Sequence, residues 1–303
     1  MLEIIKAIIY GIVEGITEWL PISSTGHLIL VERLIPFQQT SEGFFDMFDV
    51  VIQLGAILAV VVLFWNKIWP FYLKKNQQTK KGGIVRSRKD FTVGNVALSM
   101  DAFWMWVKIV VACIPAVVYG LLFDDAVSEA FKKEIGGSGV TIQVIVVAVM
   151  LVLVGVLFIV IENWNKNRVP ATTKLSQLTY RDALIIGLCQ LAAAALPGTS
   201  RSGATILGAI VIGISRTVAA EFTFFLAIPV MFGASLLKVV KFGFAYTGME
   251  LACLFVGTIV SFIVSLFVLR FLMEYIKKHD FKVFGWYRIV LGIVVLLYFL
   301  VFV

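Results

Sequence analysis

The stretch EGITEWLPISSTGHLIL, from Glu14 to Leu30, places polar side chains within sequence that is otherwise apolar enough to enter a membrane. Glu14 and Glu18 are four residues apart, so they share one face of a helix. Hydroxyl residues, a glycine and a histidine follow Pro21. An ionisable group at membrane depth is energetically costly and usually faces an interior cavity. The stretch therefore predicts a buried polar site rather than an ordinary membrane-spanning helix.

The composition of the chain is that of a membrane protein. Of its 303 residues, 60% are hydrophobic and 15% are charged, whereas soluble domains are about 45–50% apolar and about 25% charged. A cleaved signal peptide does not fit the N-terminus, because the apolar run there carries glutamates and lacks an A-x-A-like cleavage site. The formal charge of +7 does not indicate a nucleic-acid partner, since basic residues gather in the cytoplasmic loops of membrane proteins.

The distribution of apolar residues predicts six spans, because a spanning helix needs about 20 mostly apolar residues. Two further apolar regions, 4–34 and 181–214, each contain a proline followed by small and hydroxyl residues. Broken backbone at membrane depth is tolerated only where it is buried in protein or lines a cavity. We therefore predict an all-α polytopic membrane protein, a single domain over 1–303, with two re-entrant helix–loop–helix hairpins. The predicted spans are 44–66, 101–123, 140–162, 218–240, 250–273 and 284–303.

The two hairpin regions resemble each other. GIVEGITEWLPISST, which begins at Gly11, aligns without gaps on GLCQLAAAALPGTSR, which begins at Gly187, and the two prolines coincide. Three predicted spans separate the copies, and an odd number of spans inverts the second copy, as in many transporters. We therefore predict an inverted repeat with halves of approximately 1–162 and 175–303. The alignment pairs the hydroxyl residues Ser23 with Thr199 and Ser24 with Ser200.

The basic residues assign the two sides of the membrane. Seventeen lysines and arginines fall on the side of the predicted loops 66–98 and 163–181, against six on the side of the N-terminus. Basic residues accumulate in cytoplasmic loops. Both termini are therefore predicted to be extracytoplasmic, and 66–98 is predicted to be a cytoplasmic surface loop. The seventeen include the group assigned to the last loop, namely Arg270, Lys277, Lys278, Lys282 and Arg288.

The second hairpin adds a candidate anion site. Arg201 lies in the motif PGTSRSGAT and needs an anionic partner at membrane depth. The neighbouring hydroxyls and the free amides of a helix N-terminus favour an anion by geometry and dipole. An alternative is that Arg201 pairs with Glu14 or Glu18 to hold the hairpins together, and the two functions are compatible. The candidate anion-binding residues are Thr199, Ser200, Ser202 and Gly203, with Ser23, Thr25 and Gly26 in the first hairpin.

These residue types together suit phosphoryl transfer, in which catalysis is mainly positioning and charge neutralisation. Glu14 and Glu18 are candidate ligands of a divalent cation, Mg²⁺ or Ca²⁺. Arg201 is suited to phosphate. Ser24 is the favoured nucleophile, with His27 as its base or as proton donor to the leaving group, and His27 itself is the alternative nucleophile. The apolar surroundings imply a lipid-borne substrate.

The motifs resemble those of the undecaprenyl-diphosphate phosphatase family, also called the bacitracin resistance protein family. The resemblance rests on EGITEWLPISSTGHLIL and PGTSRSGATI, with VIQLGAILAVV and EFTFFLAIPVM between and after them. It implies hydrolysis of undecaprenyl diphosphate to undecaprenyl phosphate and inorganic phosphate, which recycles the lipid carrier of cell-wall synthesis and confers bacitracin resistance. The family motifs fall on Glu14 and Glu18, on Ser23, Ser24 and Thr25, on His27, and on Thr199, Ser200, Arg201 and Ser202.

The resemblance also implies a divalent cation, a bacterial plasma-membrane location with the site open to the extracytoplasmic side, and a homodimer. That sidedness agrees with the distribution of basic residues. The main alternative is a transporter or lipid flippase, because inverted repeats with broken helices are a transporter design. A purely structural role does not fit so many costly polar groups at membrane depth.

Overall fold

The computed structural model describes residues 1–73, 91–93, 96–123, 127, 130–131, 133 and 141–302. Among these residues, six helices are long and apolar enough to cross a membrane, and each overlaps one predicted span, so the helical six-span fold is confirmed. The six are α3, α5, α6, α9, α10 and α11. The α-helices in chain order are α1 (Leu2–Thr17), α2 (Ser24–Leu34), α3 (Phe44–Leu63), α4 (Trp65–Ile68), α5 (Met100–Leu122), α6 (Ile142–Asn165), α7 (Tyr180–Ala195), α8 (Arg201–Val211), α9 (Arg216–Phe242), α10 (Gly248–Tyr275) and α11 (Lys282–Phe302).

Capping side chains determine where several helices begin. Ser99 accepts a hydrogen bond from a backbone amide in the first turn of α5. Thr247 and Glu250 form a reciprocal capping box at the start of α10, and Thr179 caps α7 in the same way. Such caps satisfy amides that have no partner within the helix. These helix starts are therefore encoded locally, at the ends of the apolar runs.

Glycines bring the first helix of each predicted hairpin onto a distant spanning helix. A Cβ atom at Gly11 would lie 2.6 Å from the carbonyl oxygen of Gly257, where α1 crosses α10. A Cβ atom at Gly187 would lie 2.4 Å from the carbonyl oxygen of Ala112, where α7 crosses α5. Both distances are shorter than any real carbon–oxygen contact of this kind, so only glycine permits these crossings. Small residues at helix crossings are the usual route to close packing in membranes.

The region 66–98 departs from the all-α prediction. The strands β1 (Phe71–Leu73), β2 (Phe91–Val93) and β3 (Val96–Leu98) form a small antiparallel sheet with β3 in the middle. Strands of three residues are too short to produce a detectable alternation of apolar and polar side chains. Residues 74–90 and 94–95 of the predicted cytoplasmic loop lie outside the described residues.

Buried contacts between helices hold together the elements that surround the hairpin loops. The ring of Trp19, which follows α1, packs edge-on against Phe224 of α9 with 5.3 Å between centroids. At the end of α6 the carboxylate of Glu162 is buried and pairs with Arg216 at the start of α9. The same carboxylate accepts the amide of Phe281, just before α11, at 3.1 Å. Three spanning helices are thereby joined through one buried carboxylate.

Candidate active site

The loops of the two hairpins end in helices that begin in the same unusual way. Ser23 caps α2 with φ of 74°, and Ser200 caps α8 with φ of 70°. Among the described residues these are the only non-glycine positions with positive φ. Such backbone costs about 1–3 kcal/mol and clusters at functional sites. The caps are one residue further apart than the aligned prolines, so the second loop holds one extra residue, and Ser24 corresponds in position to Arg201 rather than to Ser200.

Arg201 and Glu18 join the two hairpins. The Nη2 atom of Arg201 donates to Oε1 of Glu18 at 2.6 Å, and both side chains are largely buried. The hydroxyl of Ser24 donates to the other carboxylate oxygen, Oε2, at 3.0 Å. The hydroxyl of Ser202 donates to the backbone carbonyl of Glu18 at 3.2 Å. Arg201 and Glu18, which lie 183 positions apart in the sequence, therefore form an ion pair between the two hairpins, as the pairing alternative predicted for Arg201.

Glu14, one turn before Glu18, is completely buried. Neither of its carboxylate oxygens has a hydrogen-bond partner among the described residues. Its nearest charges are those of Glu18, Asp49 and Arg201. An unpaired buried carboxylate costs several kcal/mol, so the group calls for a cation or a proton. The orphaned oxygens of Glu14 thus fit a divalent cation in their chemistry.

A metal ion at Glu14 would draw few of its ligands from the protein. In the part of the chain that the structure describes, no group of three or more histidine, cysteine, aspartate and glutamate side chains is arranged to hold one. Mg²⁺ commonly keeps several waters and is bound through one or two carboxylates and substrate phosphates. The pair of Glu14 and Glu18 corresponds to that limited ligand set.

His27 makes no hydrogen bond to Ser24 in the structure, contrary to the arrangement expected for a base and its nucleophile. Its Nδ1 atom lies 2.8 Å from the backbone oxygen of Ser23, and its Nε2 atom lies 2.7 Å from the hydroxyl of Tyr287. The hydroxyl of Ser24 instead donates to Glu18. The reason is local: the imidazole turns back on its own helix cap, where a free carbonyl is available. The group placed to take a proton from Ser24 is therefore the carboxylate.

The assignment of Arg288 to the last cytoplasmic loop is wrong. Arg288 lies in α11 and is fully buried. Its guanidinium donates to the backbone oxygens of Pro21 at 3.2 Å, Gly198 at 2.8 Å and Thr199 at 3.0 Å, so one side chain ties the two loops together. The sequence held a signal for this position, because Arg288 falls inside the predicted span 284–303.

The other predicted anion-binding residues surround these contacts. The hydroxyl oxygens of Ser200 and Ser202 are 3.2 Å apart, and the amide of Gly203 donates to Ser200. The hydroxyl of Thr199 is buried and has no partner among the described residues. In the first hairpin Thr25 is half-buried, and the amide of Gly26 donates to Ser23. Two helix N-termini, an arginine and several hydroxyls therefore converge, an arrangement suited to binding an anion.

Comparison with known proteins gives a consistent family. The family model described as bacitracin resistance protein BacA matches residues 7–294. An undecaprenyl-diphosphatase of Desulfitobacterium hafniense (strain DSM 10664 / DCB-2) is 55% identical over 99% of this chain and 97% of its own length. Undecaprenyl-diphosphatases of Enterococcus faecalis and Acetivibrio thermocellus are each 54% identical, over 98% and 99% of this chain and 97% and 99% of their own lengths.

The range 7–294 matched by the family model contains both hairpin loops and the positions of the site described above. The relatives are of nearly the same length as this chain, so the similarity is not confined to one segment. The six apolar helices make the protein a multi-pass membrane protein. The chain belongs to the bacitracin resistance protein BacA family.

Proposed function

We propose that this protein hydrolyses undecaprenyl diphosphate to undecaprenyl phosphate and inorganic phosphate, recycles the lipid carrier of cell-wall synthesis, and thereby confers resistance to bacitracin. The observation that carries the proposal is the carboxylate of Glu18, which contacts both Ser24 and Arg201. A hydroxyl and an arginine suited to binding phosphate thus each lie within hydrogen-bonding distance of one carboxylate, a proton acceptor, in an apolar protein. The names of the relatives indicate the same substrate.

Ser24 is the nucleophile that the contacts favour. Its oxygen attacks the terminal phosphorus, its proton passes to Glu18, and the bond from that phosphorus to the bridging oxygen breaks. Undecaprenyl phosphate leaves, and water then cleaves the phosphoserine to give inorganic phosphate and free Ser24. His27 is the second candidate for the attacking group. Trapping a phosphorylated enzyme and locating the phosphate on serine or histidine decides between them.

Arg201 and the two helix N-termini bind the diphosphate. The planar guanidinium contacts two phosphate oxygens at once, which a point charge cannot do. The hydroxyls and backbone amides around it donate hydrogen bonds to the remaining negatively charged phosphate oxygens. The binding groups are Ser23, Thr25, Gly26, Thr199, Ser200, Ser202 and Gly203.

Glu14, with Glu18, would hold a divalent cation, Mg²⁺ or Ca²⁺. The support is the pair of unpartnered oxygens on Glu14. Such an ion, when bound, supplies positive charge that neutralises the diphosphate. Glu18 is engaged by Ser24 and Arg201 in the structure, so Glu14 is the principal ligand of the two.

The two hairpins are re-entrant, and the halves of the chain form an inverted repeat. Two observations support this architecture. The aligned glycines, Gly11 and Gly187, permit corresponding crossings of α1 with α10 and of α7 with α5, each between the two halves. The helices α2 and α8 begin at serine caps with the same positive φ. An inverted repeat with broken helices places a binding site near the membrane midplane.

The site opens to the extracytoplasmic side, and both termini lie on that side. Arg288 is removed from the count, and Arg270 lies near the end of α10 rather than in the last loop. Sixteen basic residues then remain in the loops or near the helix ends on the opposite side, against six on the side of the termini. That asymmetry still favours a cytoplasmic location for the loop 66–98. Pairing of two chains into a homodimer is implied only by the family resemblance.

Release of inorganic phosphate from undecaprenyl diphosphate tests the function directly. The protein is purified in detergent, and phosphate is measured with Mg²⁺ or Ca²⁺ present. We expect turnover by the wild type and none by Arg201→Ala, which serves as the control for contaminating phosphatases. A transporter or flippase without hydrolase activity releases no phosphate. Failure of the folded wild-type protein to release phosphate would therefore contradict the proposal.

A further inference from the structure

Tyr287 contacts the site but takes no part in the steps proposed above. It lies on α11 next to Arg288, and its hydroxyl oxygen is 2.7 Å from Nε2 of His27. The two rings are parallel within 7°, with their centroids 5.6 Å apart. The contact joins α11 to the first turn of α2, although the two residues are 260 positions apart in the sequence.

The other ring nitrogen determines the nature of this contact. Nδ1 of His27 lies 2.8 Å from the backbone oxygen of Ser23. A carbonyl oxygen can only accept a hydrogen bond, so Nδ1 carries a proton. In the neutral imidazole the lone pair is then on Nε2, and the hydroxyl of Tyr287 donates to it. The ring is held at both nitrogens, and it cannot turn without losing both hydrogen bonds.

We infer that Tyr287 is a positioning residue, which fixes the orientation and the tautomer of His27 so that Nε2 is its reacting nitrogen. The inference rests on the proposed hydrolase function. It concerns His27 as a group that carries a proton, because an Nε2 lone pair that accepts the hydroxyl of Tyr287 cannot at the same time attack phosphorus. When Nε2 gains a proton, the hydroxyl of Tyr287 turns to accept the new N–H, since a phenol both donates and accepts. Tyr287 itself keeps its proton throughout.

Tyr287→Phe tests the hydrogen bond while keeping the ring. We expect kcat to fall on the order of tenfold, as the loss of one hydrogen bond to a reacting group predicts, with KM within about twofold of the wild type. Tyr180→Phe is the matched control, because Tyr180 is equally exposed, at 46%, and lies outside the site. A purely packing role for Tyr287 would leave kcat of Tyr287→Phe unchanged, and that result would overturn the inference.

The imidazole tautomer is measurable by nitrogen NMR in the folded protein. The chain has only two histidines, and His279, which lies 3.2 Å from the backbone oxygen of Tyr275, is an internal reference for folding. With ¹⁵N in the histidine rings, we expect the wild-type His27 to carry its proton on Nδ1. Tyr287→Phe should move the Nε2 signal of His27 and leave His279 in place. His27→Gln assigns the signals.

The two measurements separate the inference from the function on which it rests. A proton on Nε2 of His27, or a Tyr287→Phe spectrum identical to that of the wild type, overturns the positioning role even if the enzyme is active. If the wild type releases no phosphate, the proposed function fails. In that case the ring signals still show whether Tyr287 holds His27.

Discussion

Glu14 and Glu18 lie on one helix face, but they differ in whether a positively charged side chain pairs with them. Glu18 is paired with Arg201 and accepts the hydroxyl of Ser24, whereas Glu14 has no partner among the described residues. An ion pair offsets part of the desolvation cost of a buried carboxylate, whereas nothing offsets this cost for an unpaired carboxylate. Glu14 is therefore the side chain that gains most from a bound cation. Glutamine has nearly the same shape as glutamate but no charge, so its substitution for Glu14 tests the contribution of the charge alone.

We predict that Glu14→Gln removes the metal dependence of stability along with most of the activity. Mg²⁺ added after a chelator should raise the melting temperature of the wild type, because a ligand that binds only the folded state stabilises it. The same addition should leave the melting temperature of Glu14→Gln unchanged. Glu42→Gln, which changes an exposed carboxylate, is the control. Equal metal-induced shifts in the wild type and Glu14→Gln would show that the ion binds elsewhere.

Arg201 is predicted to be indispensable for turnover. Arginines that stabilise phosphoryl-transfer transition states are worth about 10³–10⁵ in rate, so Arg201→Ala should lose at least about a thousandfold in kcat/KM. Arg201→Lys should recover little, since lysine keeps the charge but loses the planar fork. Phosphate release measured at substrate concentrations below and above KM provides kcat/KM. Turnover like that of the wild type in Arg201→Ala would mean that the two hairpins do not share a site.

The residue types of the site were predictable from the sequence, as was the pairing of Arg201 with a glutamate, but the other pairs were not. A carboxylate, a hydroxyl or an arginine at membrane depth stands out by its cost. The partner of Ser24, by contrast, depends on which way His27 turns, and that follows from a free carbonyl at the helix cap. Arg288 escaped prediction because its partners are backbone oxygens of the loops, which leave no pattern of side chains in the sequence.

The first helix of each hairpin packs across a spanning helix. Of the crossings at Gly11 and Gly187, that of α7 with α5 at Gly187 is the closer. We predict that Gly187→Ala destabilises the protein by about 1–3 kcal/mol, because the added methyl group would lie 2.4 Å from the carbonyl oxygen of Ala112. Gly233→Ala is the matched control, since nothing lies within 4 Å of its Cβ position. It should be neutral or slightly stabilising, because alanine has the higher helix propensity. Thermal unfolding in detergent measures both.

Equal stability of the two glycine variants would show that α5 and α7 separate freely, and the hairpin would then not depend on this crossing.

At the scale of secondary-structure elements, the sequence predicted the long helices but not the short strands. Long apolar runs located the six spanning helices within a few residues, and re-entrance of the two proline-containing regions stays a prediction. The three-residue strands Phe71–Leu73, Phe91–Val93 and Val96–Leu98 depend on pairing with one another, and no run of residues within them predicts it.

The orientation that we propose for the protein rests on charge, and it would determine which face of the membrane supplies the substrate. The excess of basic residues on the side of the loop 66–98 persists after Arg288 is assigned to a helix. Short basic loops near the ends of spans resist translocation, so they remain cytoplasmic. An extracytoplasmic site would meet the diphosphate lipid where it is released by reactions that consume the lipid-linked precursor outside the cell.

We predict that single cysteines at Val127 and at the C-terminus react with a membrane-impermeant maleimide added to intact cells, whereas one at Gln77 does not. The native thiols at Cys113, Cys189 and Cys253 are free and are first replaced by alanine. Val127 follows α5 on the side assigned to the outside, and Gln77 belongs to the basic loop, beyond the described residues. All three cysteines should react once the cells are permeabilised, which confirms that each is accessible. Labelling only at Gln77 in intact cells would reverse the orientation, place the phosphate-binding loops toward the cytoplasm, and contradict the proposed access of substrate from outside.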